Sequence, residues 1–434
     1  MTEPKYILVL GYVWPEPNSS AAGRHMLSLL QSFVSVGWHV TFASPALQSE
    51  HKVDLTTLGI AEKNITLNCS SFDDFILELK PDVVLFDRFM LEEQFAWRVA
   101  QHCPQALRIL DTEDLHSLRQ ARHSVLKQQR ELSTFDLNSD LAKREIAAIF
   151  RCDLSLIISE YEYQLLQQHY QVPKAILLHC PFMLDLNELN RAKTEFAHRQ
   201  HFISIGNFRH EPNWDAVLWL KQSIWPLIRQ QLPQAELHIY GAYPPPKATQ
   251  LHNVKQGFLV KGWAADADVV MAQARVCLAP LRFGAGLKGK LVEAMLCGTP
   301  SVTTSVGSEG MGVAPANHNN SNDGLNWPGY LVDFASNKQT DHAQLIAQQA
   351  INLYQDQAYW QICQQFGYDW LISHFDQIPL RAKLLDSIKH IADNLDSHRA
   401  NNFIGQMLQH HQLKSTQYMA QWIEAKNKNN GPSK

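Results

Sequence analysis

Short apolar runs alternate with segments of helical periodicity along most of this chain, and that alternation restricts its fold more than any other feature. The first run is YILVLGY at 6–12. A Pro- and Ser-rich loop, PEPNSSAAG, leads from it into a helical pattern over 22–36, with Met26, Leu29, Leu30 and Phe33 on one face. HVTFAS (39–44), DVVLF (82–86), ALRIL (106–110) and LSLII (154–158) continue the series. Apolar runs separated by helices are the pattern of buried parallel strands. A polar stretch, NELNRAKTEFAHRQ (187–200), then interrupts the cycle. It restarts with HFISIG (201–206), a helix over 214–232, AELHIYG (235–241), FLVKG (258–262), a helix over 264–274, RVCLAPL (275–281), a helix over 287–296 and TPSVTT (299–304). Residues 317–326 have loop composition, 341–426 read as almost wholly helical, and the tail from 427 frays.

The expected fold class is therefore α/β, with two parallel-sheet units facing across a cleft and a helical C-terminal extension. The domain boundaries fall at 1–185, 200–375 and 376–434. Ligands of open parallel sheets bind beyond the carboxyl ends of the strands, so the loops that follow the strands should carry function.

Composition narrows the function classes. Of 434 residues, 45% are hydrophobic and 18% charged, which excludes wholesale disorder. A net charge of −4 with no basic domain argues against nucleic acid as a partner. The seven cysteines are scattered singly without a CxxC, as in a reduced, cytoplasmic protein. No secretory leader and no run of about 20 apolar residues is evident. No metal-ligand spacing stands out.

The most informative segment is RFGAGLKGKLVEAM (282–295), which follows a predicted strand and opens a helix. Gly284 and Gly286 let a ligand approach the backbone. The free N–H groups of the helix start favour an anion there. Arg282 and Lys288 add positive charge on the same turn, Arg suiting a bidentate phosphate contact. Glu293, further along the helix, would repel a phosphate but can accept from ribose hydroxyls. Together these residues point to a nucleoside diphosphate along the first turns of the helix.

At these residues the chain resembles a known family. RFGAGLKGKLVEAMLCGTPSVTTSVGSEGM (282–311) is similar to the donor-site signature of the GT-B retaining glycosyltransferases of family 4, in the branch with Arg-x-Gly-x-Gly-x-Lys ahead of a Glu-Ala-Met helix. The likeness extends to the Pro-Ser-Ala-Gly loop after the first strand, to DTEDLHSLR (111–119), to IISEYE (157–162) and to ISIGNFRHEPNWDAV (203–217), covering roughly residues 5–375.

The resemblance implies two Rossmann-like domains, an N-terminal acceptor domain and a C-terminal donor domain. A C-terminal helical part would return to the first domain. It implies transfer of a sugar from a nucleoside diphosphate sugar to the hydroxyl of a glycan, lipid-linked or protein acceptor, in glycan or surface polysaccharide synthesis. No cofactor and no metal would be required. Carried over, Glu293 would bind ribose, and Lys288 with Arg282 or Arg209 the diphosphate. Gly284, Ala285, Gly286, Leu287 and Lys288 would line the sugar and its phosphates, and Gly262 and Trp263 would lie near the base. Many relatives place a first Glu where this chain has Ala285, so their sugar does not transfer.

On the acceptor side, His116 is the candidate to hold the sugar or the acceptor hydroxyl, oriented by Asp114, against the alternative of a helix-start cluster capped by Asp111 or Thr112. Ala22 and Gly23 start the first long helix with N–H groups open to an anion or a hydroxyl. Glu309 and Gly310 read mainly as a turn with an exposed acid. Arg119, Arg122, His123, Lys127 and Arg130 form a basic stripe over 116–130. That stripe reads first as a solvated face and leaves peripheral contact with the inner face of a membrane open. Two further readings stay open: a noncatalytic GT-B partner subunit, and a sugar-nucleotide epimerase or hydrolase using the cluster Asp111, Glu113 and Asp114.

Overall fold

The computed structural model describes residues 5–186, 189, 194–311, 326–334 and 341–429. The loop expected over 317–325 lies outside the described residues.

The apolar runs form two separate parallel sheets. The first has the order β3-β2-β1-β4-β5-β6-β7. Its strands are β1 (Tyr6–Leu10), β2 (His39–Ser44), β3 (Ala61–Asn64), β4 (Val83–Asp87), β5 (Leu107–Asp111), β6 (Leu154–Ile157) and β7 (Leu177–His179). The second has the order β10-β9-β8-β11-β12-β13. It contains β8 (Gln200–Ile205), β9 (Leu237–Tyr240), β10 (Phe258–Gly262), β11 (Ala274–Ala279), β12 (Ser301–Thr304) and β13 (Gly329–Val332). In both, the order reverses beside the first strand of the unit, a switch point with a crevice at its mouth. Helices on both faces bury alternate side chains. Leu8, Leu10, Val84 and Phe86 point into one core, and Ile7, Val9, Val83 and Leu85 into the other.

The helices that matter for the site are α1 (Ala21–Val34), α2 (Phe89–His102), α3 (His116–Lys127), α4 (Glu160–Gln168) and α5 (Gly289–Leu296), each beginning just beyond the end of a strand. Three edge strands were not expected from the sequence. β3 is AEKN, with three exposed residues among its four and no apolar run; β7 and β13 have three and four residues. The expected helix over 214–232 starts at Glu211 and contains a π turn at Leu220–Ile224. Pro226 lies just beyond that turn, and its ring nitrogen has no hydrogen to donate back along the helix.

After Phe375 the chain crosses back to the first sheet. Leu184 N–H donates to Phe375 O at 2.8 Å, and Gln377 N–H to Leu184 O at 3.0 Å. The next helix, α6 (Gln377–Asp393), places Leu384, Ile388 and Ile391 in one buried cluster with Leu29, Leu30 and Phe33 of α1. A final helix, α7 (Phe403–Asn429), packs on α2. Among the described residues no helix is long and apolar enough to cross a membrane.

Candidate functional site

A cleft of about 680 Å³ separates the carboxyl ends of the two sheets. One wall, from the second domain, is built by the turn after β11 and the start of α5. Its opposite wall is built by the loops after β1, β4 and β5.

On the second-domain side, Phe283, Gly284, Ala285, Leu287, Lys288, Gly289, Lys290 and Glu293 all line the cleft. Lys288 is the N-cap residue of α5 and offers no side-chain acceptor to the first turn; Leu291 N–H turns back onto Lys288 O at 2.8 Å, and the N–H groups of Gly289 and Lys290 are left uncapped. Lys288 is only 7% exposed, and its Nζ bends back to donate to Gly286 O at 2.6 Å. Lys290, two residues on, reaches across to the first turn of the helix that starts at Glu211, where Nζ donates to Asn213 Oδ1 at 2.7 Å. Burial pulls its ammonium down to about 8. Glu293 lies one turn beyond Lys290 on the same face, and burial pushes its carboxyl up against the pull of Arg24, 3.9 Å away. The sequence pointed to Lys288 and passed over Lys290. The i, i+3 relation between Lys290 and Glu293 was the signal that could have found it.

Arg282 corrects the sequence expectation. Its guanidinium forks onto Asp215, with Nε 2.8 Å from Oδ2, and lies against Trp219, so its charge is neutralised outside the cleft. Arg209 does line the cleft, stacked 3.8 Å over the Tyr243 ring. Gly262 and Trp263 do not line it. Trp263 stacks on His51 at 4.4 Å, beside Tyr243, at the outer lip. Gly286 serves a structural end: at φ +64 its N–H donates to Glu162 Oε1 at 2.6 Å, and a Cβ there would lie 2.7 Å from Cβ of Asp114.

On the first-domain side, His116 opens α3 and lines the cleft with its Nε2 3.5 Å from Asp114 Oδ1. Burial drives its imidazole down to about 4, so it is neutral near pH 7 despite Asp114. Burial favours a neutral Asp114, but Arg119, His116 and His210 outweigh it and hold that carboxyl at about 2. Neither Asp111 nor Thr112 caps α3. Glu145 does so from a distant helix, accepting from the N–H groups of His116 at 2.9 Å and Ser117 at 3.1 Å. His210, also neutral through burial, faces Asp114 from the second-domain side.

Ala22 and Gly23 line the cleft at the start of α1, but the N–H of Gly23 is not open: Ser20 Oγ accepts from it at 3.0 Å. Glycine is needed there because a Cβ would meet the Glu16 backbone at 2.6 Å.

The two walls are tied together. Arg122 of α3 forks onto Glu309 at 2.6 and 2.7 Å and donates to Gly284 O at 2.8 Å. Glu309 is thus a cross-cleft partner and not an exposed turn acid. His123 stacks on Phe283 at 4.3 Å, and Arg119 pairs with Asp114. Arg119, Arg122 and His123 of the basic stripe are spent on these contacts, because a buried guanidinium requires a carboxylate or carbonyl to meet it, while Arg130 pairs with Asp136 at the surface. Glu162 of α4 completes the tie, its Oε1 accepting from both Leu115 and Gly286 N–H groups. Nothing in its sequence context marked it beyond the family likeness of IISEYE. Among the described residues no group of three or more His, Cys, Asp or Glu is placed to hold a metal ion.

Residues 199–356 match the family model described as Glycosyl transferases group 1, which supports glycosyl transfer as the chemistry of the second domain. No curated protein matches the chain. Solved structures do. A glycosyltransferase from Rickettsia africae ESF-5 superposes with a TM-score of 0.63 at 12% identity, over 90% of this chain and 100% of that one. HepE of Anabaena in complex with UDP-glucose gives 0.65 at 13%, over 89% and 100%. The sucrose-phosphate synthase of Thermosynechococcus elongatus gives 0.62 at 16%, over 89% and 99%. At such identities the likeness concerns the fold, which is GT-B: two Rossmann-like domains with a helical C-terminal part.

Proposed function

We propose that the chain is a retaining glycosyltransferase that moves a hexosyl or related sugar from a nucleoside diphosphate sugar to an acceptor hydroxyl. Residues 200–375 would hold the donor and residues 1–185 the acceptor. The observation that carries this reading is the start of α5, where a helix N-terminus, Lys290 and Glu293 open on one cleft within the segment matched to the glycosyltransferase model. Glu293 would take the ribose hydroxyls, with the N–H groups of Gly289 and Lys290, Lys290 Nζ and Arg209 around the diphosphate. Lys288 is the reserve charge, released from Gly286 O when phosphate oxygens displace it.

Leaving of the diphosphate builds negative charge on the bridging oxygen, and preorganised N–H groups and ammonium charges meet that charge without reorganisation. His116, neutral and supported by Asp114, would donate to the donor sugar or orient the acceptor hydroxyl from the opposite wall. The leaving phosphate would take the acceptor's proton on the face it departs from, which retains configuration and needs no metal. A cytoplasmic setting, and a role in glycan or surface polysaccharide synthesis at a membrane's inner face, belong to the same proposal. UDP-glucose in the HepE complex makes uridine donors the first to try.

The test is a thermal-shift screen of UDP-, GDP-, ADP- and TDP-sugars on the full chain, since a ligand of the native state raises its stability with concentration over Kd. One donor class should raise the midpoint and release nucleotide, and the product's anomeric proton coupling should match the donor's. A chain that neither binds nor cleaves any of them is not a glycosyltransferase.

A further inference from the structure

The last helix of the chain carries large apolar side chains on its outer side. α7 lies on the first domain as an extra layer over α2 and the helix Asp140–Arg151. Its orientation is fixed from below. Asn402 Nδ2, just before its start, donates to Phe150 O at 2.8 Å, and Gln409 Nε2 donates to Arg151 O at 2.8 Å. Ala420 packs on Trp97, and Glu424 pairs with Arg98 at 3.6 Å. The opposite face holds Ile404, Met407, Tyr418 and Trp422, the last two 63% and 59% exposed. Ile404 and Trp422 are about five turns apart, and Met407 and Tyr418 about three, so all four fall on one stripe. Phe403 and Met419, exposed as well, flank it.

The charges on this face have one sign. Lys414 stands one turn before Tyr418 and Lys426 one turn beyond Trp422, both exposed, with Lys426 Nζ 5.1 Å from the centre of the Trp422 ring. The one acidic residue in 403–429, Glu424, is turned inward onto Arg98. The sequence that follows, NKNNGPSK, adds Lys428 and Lys434 and no acid.

We propose that the outer face of α7 docks the protein on a membrane surface rich in anionic lipid. Tyr and Trp settle at the boundary between headgroups and acyl chains, the ring in the apolar layer and the polar edge in the wet one. Lysines beside them reach lipid phosphates on their apolar stems. The helix lies flat on the surface, since it is not long and apolar enough to cross a membrane. A second copy of the chain fits this face less well, because it would bring the same lysines to the same place, and the cores of protein interfaces are depleted in lysine. The inference goes beyond the transferase reading: it concerns a surface outside the cleft and supplies the physical means for the membrane setting proposed above.

Flotation of the full chain tests it, with vesicles of phosphatidylcholine alone and with about a third of the lipid replaced by phosphatidylglycerol. The floating fraction should rise fivefold or more with the anionic lipid, and fall as salt is raised and the charges are screened. Lys414→Glu with Lys426→Glu should lower it tenfold or more, and Tyr418→Ser with Trp422→Ser likewise. Ile378→Ser, at another exposed apolar side chain, on α6, should leave it unchanged. All three variants should keep the wild-type melting temperature, which separates lost docking from lost folding. A chain that floats with neither vesicle, that floats equally with both, or whose paired variants float like the wild type overturns the proposal. So does a dimer in sedimentation velocity that Tyr418→Ser with Trp422→Ser dissociates. A chain that docks on anionic vesicles but binds no nucleotide sugar would sink the transferase reading and leave this surface standing, and turnover without docking would do the reverse.

Discussion

The two walls of the cleft are built alike and charged oppositely. Each consists of a strand end, a short loop and a helix start: Asp111 to His116 on one side, Ala279 to Gly289 on the other. The wall from the second domain answers burial with glycines, a helix start and two lysines, Lys288 held by Gly286 O and Lys290 by Asn213 Oδ1. The first-domain wall answers it with carboxyls, two of them pushed well above the usual range. The same parallel-sheet geometry therefore offers a position and leaves the chemistry to a few side chains. The difference also teaches where strain is held. Arg88 at φ 72, ψ 156 and Glu113 at φ 56 are non-glycine residues at positive φ on the first-domain wall; the second-domain wall gives one such position to Gly286 and another to Tyr243 at φ 55. Such conformations cost about 1–3 kcal/mol each and cluster at functional sites.

The contrast can be broken most sharply at Lys290. Lys290→Ala should lower kcat/KM for the donor by about 100- to 1,000-fold, the scale of one lost oxyanion donor. Lys288→Ala should cost less, because its Nζ is turned back onto Gly286 O of its own turn, whereas Lys290 Nζ is held at Asn213 Oδ1, a residue that lines the cleft. Steady-state kinetics that rank the two the other way would reassign the diphosphate to Lys288.

The contact between the walls comes next. Gly286→Ala puts a Cβ against Asp114 at a φ that disfavours it. Strain of about 1–3 kcal/mol corresponds to a loss of donor affinity of roughly tenfold or more. Calorimetric titration with the donor nucleotide checks it. Arg122→Met removes the fork onto Glu309 and the bond to Gly284 O, and should raise the donor KM about fivefold with a smaller change in kcat. Glu309→Gln should give a similar shift, and the double variant little more than either, since one interaction is being removed twice.

The smallest effect is one of pH. Burial and the charge of Asp114 push the Glu162 carboxyl up to about 8, from an ordinary 4.5. Between those values the unfolded chain has given up a proton that the folded chain still holds, so this group's contribution to stability falls as pH rises from about 4.5 to about 8. Glu162→Gln keeps an oxygen to accept from Gly286 and removes the titration. The variant's melting temperature should therefore decline less from pH 5 to pH 8 than the wild type's. An equal decline in the two would place the proton elsewhere.

Much of what lines the cleft was legible from local pattern. The glycine turn and the helix with Glu293 follow from strand, turn and helix signals within a dozen residues. His116 and Asp114 followed from the family likeness and their place after a strand. Arg282 was misread because its partner, Asp215, lies 67 positions away, and no local signal says which of two nearby cations is already paired. Gly23 was misread for a smaller reason: Ser20 is a good cap, and a capped N–H is not an open one.

By itself the sequence determined the alternation of strands and helices, and with it two parallel sheets whose strand ends must face a ligand, because apolar periodicity is a local property of the chain. The tertiary structure decided which charges are spent and which remain. Arg122 on Glu309, Glu162 on Gly286 and the unpaired oxygens of Asp87 and Asp111 all depend on groups brought together from distant segments. Charge and hydrogen-bond balance in a buried space is set by what surrounds each group in three dimensions, and spacing along the chain carries almost none of that information.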